Sequence, residues 1–280
     1  MATFYNQATL SIGGNTTSSN RTEGEVVTRV TIGKRALSTD YGPGDNIVYA
    51  ITLNNTGTDP LENVTVIDDL GRTTPTGGPE IVPLTYVSGS VLYYVNGVLQ
   101  PAPTVTAGPP LVFTGISIPA GGNALIVYET VANEYAPRDA GGSITNNASA
   151  EGMCDELSAS ATVPTRDEPL LTISKAICPE SIICGDQVTY TFIIQNTGNT
   201  AVLATDDLIV SDLFNPSLKN ITVKINGEIT ALYTYSEETG EFATTAGAVP
   251  VPEATFTRDS VTGLIATTPG VTVITVTGTI

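Results

Sequence analysis

Apolar and polar residues alternate with a period of two through much of this chain, the signature of strands with one face buried. Ile47 to Leu53 alternates in this way and then meets Asn54-Asn55-Thr56-Gly57. Val188 to Ile194 does the same before Asn196-Thr197-Gly198. Val91 to Val95, Asn96-Gly97 and Val98-Leu99 read as a hairpin, because Asn-Gly supplies the left-handed residues of a tight turn. Leu125 to Val131, Leu157 to Val163 and Val271 to Ile280 predict further strands, and no stretch carries a helical 3.6 period.

The pattern occurs twice. Residues 33–57 read GKRALSTDYGPGDNIVYAITLNNTG and residues 174–198 read SKAICPESIICGDQVTYTFIIQNTG. Gly44-Asp45 aligns with Gly185-Asp186, Tyr49 with Tyr190, and Asn55-Thr56-Gly57 with Asn196-Thr197-Gly198. Val66-Ile67-Asp68 matches Val210-Ser211-Asp212, and Asn96-Gly97 matches Asn226-Gly227. Two copies of one domain, about 140 residues apart, follow from this spacing. Many short strands between turn signals predict an all-β fold of two tandem immunoglobulin-like β-sandwiches.

Composition narrows the function. Among 280 residues there are 28 acids and 11 bases, a net charge of −17, and neither histidine nor tryptophan. So acidic a surface repels phosphate, which argues against nucleic acid and anionic membrane as partners. Without histidine the usual general base, the Ser-His-Asp triad and the commonest metal ligand are all missing. Charged residues make up only 14% of the chain, against roughly 25% in an average globular protein. No cofactor, no metal site and no enzymatic turnover are expected. Asp68-Asp69 and Asp206-Asp207 with Asp212 are acidic clusters, read as solvated faces because they lack calcium-loop spacing. Met1 to Gln7 has neither the basic nor the apolar region of a secretory signal, so the chain is either a mature form or made without one. No apolar run approaches the ~18 residues of a membrane span. Of the three cysteines, Cys178 and Cys184 flank Pro179 as a short local disulfide would, which leaves Cys154 as a free thiol or an intersubunit bridge; reduced thiols are the alternative.

The run SK…GDQVTYTFIIQNTGNT and the segment SITNNASA resemble the conserved repeat domain of unknown function found in bacterial surface proteins. The opening NQATLSIGG…SSN followed by two such domains looks like the surface and spore-appendage proteins of Gram-positive spore-formers. The resemblance covers nearly the whole chain and implies an extracellular, spore-surface or cell-surface location. It fixes fold more than activity.

The ends of the two copies differ. The first closes with Ile144 to Ala150 and then Leu157 to Val163, a terminal hairpin. Carrying the spacing from Lys34 to Asn146 over to Lys175 places the equivalent asparagine at about 287, past Ile280. Tyr5-Asn6-Gln7-Ala8-Thr9-Leu10 resembles Thr145-Asn146-Asn147-Ala148-Ser149-Ala150, so residues 1–26 read as a detached copy of that hairpin. The expected organisation is a donor arm over 1–26, a first sandwich over 27–165 and a second over 166–280 that lacks its terminal hairpin. Phe4, Asn6, Ala8, Leu10 and Ile12 are the expected inserting residues of the arm. A sandwich short of its last strands invites strand addition, and head-to-tail addition gives filaments. The principal expected partner is therefore another copy of the chain, with other appendage or surface proteins as further partners. The alternative is a monomeric or anchored adhesion module.

In cell-surface sandwiches of the kind resembled, a first-strand lysine joins a last-strand asparagine by an isopeptide bond, assisted by a buried acid. Only four lysines are present, and Lys34 and Lys175 hold equivalent first-strand positions. The resemblance implies Lys34 with Asn146 and Asp68, and Lys175 with Asn6 of an incoming arm and Asp212. Exposed lysines and turn-forming asparagines are the structural alternative.

Overall fold

The computed structural model describes residues 2–26, 29–151, 157–181 and 183–280. Almost every element is a strand, with one short 3-10 turn at Ala204–Asp206, and no described helix is long and apolar enough to cross a membrane. Contacts divide the chain into two compact units. One comprises 1–73, 81–133 and 144–163, the other 74–80, 134–143 and 164–280.

The first residues form β1 (Ala2–Asn6), β2 (Thr9–Ile12), β3 (Asn15–Ser18) and β4 (Thr22–Val26). β1 pairs with β4 and β2 with β3, making one long hairpin whose tip is Gly13-Gly14. Both tip glycines have positive φ, +57° and +84°, as a two-residue type I′ turn requires. Phe4, Leu10 and Ile12 are 59%, 67% and 77% exposed.

Next come β5 (Val30–Ala36), β6 (Asn46–Asn55), β7 (Leu61–Asp68), β8 (Leu84–Tyr86), β9 (Leu92–Val95) and β10 (Val98–Gln100). β11 (Thr104–Thr106), β12 (Leu111–Ile118), β13 (Asn123–Ala132), β14 (Ser143–Glu151) and β15 (Leu157–Pro164) complete this sandwich. One sheet runs β10-β9-β13-β6-β5, with β8 also on β13; the other runs β11-β12-β7-β14-β15. Alternation is strict on β13 and β14, whose inward residues are buried, as expected of a sheet with one face in a core.

The second unit contains β16 (Leu171–Cys178), β17 (Gln187–Asn196), β18 (Ser211–Leu213), β19 (Lys219–Ile225) and β20 (Glu228–Thr230). β21 (Tyr233–Tyr235), β22 (Glu241–Thr244), β23 (Thr255–Arg258), β24 (Ile265–Thr268) and β25 (Gly270–Thr279) follow. Its main sheet, β16-β17-β25-β19-β20, matches the first sheet of the other unit, but the opposing sheet is only β18-β22-β21. The core here gathers Phe192, Phe214, Phe242, Val251, Ile274 and Val276, among others.

The motifs that reveal the repeat hold turns. The Asn55 side chain accepts from the Gly57 amide at 2.8 Å and donates to the Asp59 carbonyl, and Asn196 does the same to Gly198 and Thr200. Asp45 accepts from the Gly42 amide, and Asp186 from the Ile183 amide, each at 2.9 Å. Asn96-Gly97 and Asn226-Gly227 both have positive φ, the hairpin turn their sequence predicts. Both copies thus use side chains to satisfy backbone groups where the ladders end.

Candidate cross-link site and open strand edge

In the first unit β5 carries Lys34 inward, β7 ends on Asp68 and β14 carries Asn146. All three converge. Lys34 Nζ lies 2.6 Å from Asp68 Oδ2, and both side chains are fully enclosed. Asn146 is also fully buried. Its Oδ1 accepts from the Gly71 amide at 3.1 Å, and its Nδ2 donates to the Tyr128 hydroxyl at 3.5 Å. Tyr128 in turn donates to Asp68 Oδ2, the same oxygen that faces the lysine. The other carboxylate oxygen accepts from the Leu70 amide at 2.9 Å. Tyr49 stacks beside Tyr128 with 5.9 Å between ring centres, and the Lys34 ammonium lies 5.1 Å from the Tyr49 ring centre.

Burial pulls the Lys34 amine below its ordinary value, against the charge and hydrogen bond of Asp68. Burial, and then the Asp68 charge, push the Tyr128 phenol well above its ordinary value. The arrangement is a desolvated amine, an amide held at both ends, and an acid between them. Chemically it suits attack of the amine on the Asn146 carbonyl carbon with loss of ammonia. Asp69 secures the geometry, accepting from the Gly71 amide at 2.8 Å and from Asn147 Nδ2 at 2.7 Å, which fastens β14 to the turn after β7.

The second unit repeats half of this. Lys175 pairs with Asp212 and lies 4.6 Å from the Tyr190 ring centre. Here the pair is open: the two side chains are 38% and 19% exposed. β16 is exposed along its whole length, with Ile173 at 58%, whereas β5 alternates. The cause lies in the opposing sheet. β7 is flanked by β12 and β14, whereas β18 has β22 on one side and, among the described residues, no strand on the other. Asn6, the expected third member, stands opposite Thr22 within the arm hairpin.

Cys178 and Cys184 are exposed free thiols, not the local bridge that their spacing suggests. Cys178 is locked into the β16–β17 ladder opposite Thr189, while Cys184 belongs to the turn before β17. Cys154 lies outside the described residues. Among the described residues no three acidic or cysteine side chains gather as a metal site.

The sequence reading missed Tyr128 and Gly71. Tyr128 occupies an inward position of the predicted strand Leu125–Val131, and a buried phenol there needs a polar partner. The Gly71 amide is aimed by a turn in which Leu70 and Gly71 both have positive φ, at 56° and 74°. Residue types alone do not announce that turn.

Comparisons with solved structures return Gram-positive surface proteins. The major pilin subunit BcpA of Bacillus cereus is 13% identical over 96% of this chain and 73% of its own, with a TM-score of 0.38. The pilus backbone protein RrgB of Streptococcus pneumoniae is 10% identical over 86% of this chain and 55% of its own, with a TM-score of 0.36. The collagen-binding domain of a Staphylococcus aureus adhesin is 15% identical over 50% of this chain and all of its own, with a TM-score of 0.32. No protein-family model and no curated protein sequence matches the chain.

Proposed function

We propose that the protein is a structural subunit of a bacterial surface filament, polymerising head-to-tail by strand donation. The observation that carries this is the unpartnered edge of β18 and the uncovered face of β16, set beside a free hairpin with the alternation of β14. In β14 the inward residues are Ile144, Asn146, Ala148 and Ala150, all buried. At the same offset the arm places Phe4, Asn6, Ala8 and Leu10, continuing to Ile12. An isolated two-stranded hairpin is marginal in water, and an open sheet edge invites pairing, so each feature offsets the cost of the other. Donation between copies uses two different surfaces, and such heterologous contacts generate filaments unless the rotation closes a ring.

Two isopeptide bonds belong to this reading. Lys34 joins Asn146 within the first sandwich. Lys175 joins Asn6 of the neighbour's arm, with Asp212 as the acid, and welds the joint. Organisation into an arm over 1–26 and sandwiches over 27–165 and 166–280, and a place on the spore or cell surface, complete the proposal. Negative-stain microscopy of the purified chain tests it. Filaments are expected, converting to single particles when residues 2–26 are deleted. Filaments that persist without the arm reject strand donation, and single particles from the intact chain favour the adhesion module.

A further inference from the structure

The buried centre of the first unit contains a group that the lysine–asparagine–acid description does not use. We propose that the Tyr128 hydroxyl is the proton relay of this centre, working with the Gly71 amide as its oxyanion donor; the inference rests on the Lys34–Asn146 bond proposed above.

The geometry is specific. Bond formation requires that Lys34 Nζ bond to Asn146 Cγ, that the Cγ–Nδ2 bond break, and that Nδ2 leave as ammonia. The leaving nitrogen must therefore gain one proton, and the attacking nitrogen must lose one. Asp68 Oδ2 faces Lys34 Nζ at 2.6 Å, while the contact of Asn146 Nδ2 is the Tyr128 hydroxyl at 3.5 Å. Tyr128 also bonds Asp68 Oδ2, so the phenol bridges the acid and the leaving nitrogen. The ammonium first passes its proton to Asp68, freeing the lone pair for attack. As Nδ2 becomes tetrahedral, Tyr128 gives it a proton and takes one from Asp68. Asp68 then takes the remaining excess proton from Nζ. Asp68 ends as the carboxylic acid and Tyr128 as the phenol, with one ammonia released. During attack the Asn146 carbonyl oxygen gains negative charge, and the Gly71 amide, which it shares with Asp69 Oδ1 at 2.8 Å, lies 3.1 Å away.

The second unit provides an internal comparison. Tyr128 faces Tyr49 across the β13–β6 ladder, and Val276 faces Tyr190 at the equivalent point of β25 and β17. Lysine, acid and first aromatic are repeated, but the phenol is replaced by a buried valine. Three residues after Asp212 stands Asn215, where the first unit has Gly71. The relay is thus a property of the first centre, which closes by itself on folding.

Timed cell-free synthesis tests this. The full chain carrying Lys175→Arg, which confines the reaction to Lys34, is quenched in acid at intervals and its intact mass read for the loss of about 17 Da. Tyr128→Phe is expected to slow that loss about 100-fold, the usual worth of a general acid–base group. A slowing of less than tenfold overturns the relay. If the parent chain itself never loses ammonia, the bond falls and the relay with it, an outcome distinct from an unslowed Tyr128→Phe. Folding is checked by comparing the melting of Tyr128→Phe with that of the unreactive Asn146→Ala. Should Tyr128→Phe not fold, 3-fluorotyrosine at position 128 keeps the shape and hydrogen bond but acidifies the phenol. A rate change of at least about threefold with a shifted pH profile supports the relay, and an unchanged rate and profile overturns it.

Discussion

The two units build the same lysine–aspartate pair on the same strand frame, and they differ in what covers it. In the first, β14 and β15 lie beyond β7, and Lys34, Asp68 and Asn146 are sealed. In the second, the layer stops at β18 and water reaches Lys175 and Asp212. The difference teaches that the same lysine–aspartate pair is sealed in one unit and open in the other according to the strands that cover it. Desolvation lowers the Lys34 amine, and only a neutral amine is a nucleophile. The smaller opposing sheet is also the one that leaves its lysine–aspartate pair open, so the edge of β18 and the exposure of Lys175 go together.

The largest expected effect breaks the comparison at the level of assembly. Deleting residues 2–26 should abolish filaments in negative stain while the first unit still releases its ammonia. If both activities disappear together, the arm is supporting the first sandwich and not the second.

Next comes stability. Asp68→Ala leaves a buried lysine without its counter-charge and Tyr128 without its acceptor. A loss of about 3–5 kcal/mol is expected by denaturant unfolding in an Asn146→Ala background, where no cross-link masks it. Asp212→Ala should cost no more than about 1 kcal/mol, because its pair is partly exposed and screened. Equal losses would mean that the two sites are energetically alike despite their different enclosure.

A smaller effect follows from pH. In Asn146→Ala the fold holds Lys34 below its ordinary 10.5, so across that window the unfolded chain binds more protons than the folded one. The full cost of the charged amine applies below the lowered value and is relieved as pH rises. Tyr49 and Tyr128 act in the opposite sense: burial raises both above 10.0, so stability falls once the unfolded phenols ionise. Denaturant midpoints should therefore rise with pH below about 10 and decline above it. A flat profile below the peak would remove the buried amine from the account.

The smallest effect concerns the arm. Leu10→Asp alters an exposed side chain and should change melting of the unassembled chain by no more than about 0.5 kcal/mol. It should nonetheless weaken assembly, seen as shorter filaments at equal concentration. Unchanged filament length would take Leu10 out of the joint.

Much of the fold is legible in particular residues. The alternation from Ile47 to Leu53 is β6, and that from Val188 to Ile194 is β17. Asn96-Gly97 and Asn226-Gly227 make the turns that their types demand. The repeat shows which two of the four lysines hold equivalent places, while the partnership of Lys34 with Asp68 came from the resemblance. The cysteines were less legible: spacing suggested a bridge, but chain proximity does not orient two Cβ atoms once a ladder holds one of them.

Period-two patterning and turn chemistry are local properties, so the sequence by itself determined the all-β class, the two copies and the hairpin at the front of the chain. Enclosure is not local. That Asn146 reaches the turn after Asp68, that Tyr128 joins them from a strand 60 residues from Asp68, and that β18 has one neighbour where β7 has two were decided by tertiary structure. The physical reason is that burial depends on which strands lie above a residue, and those strands come from distant parts of the chain.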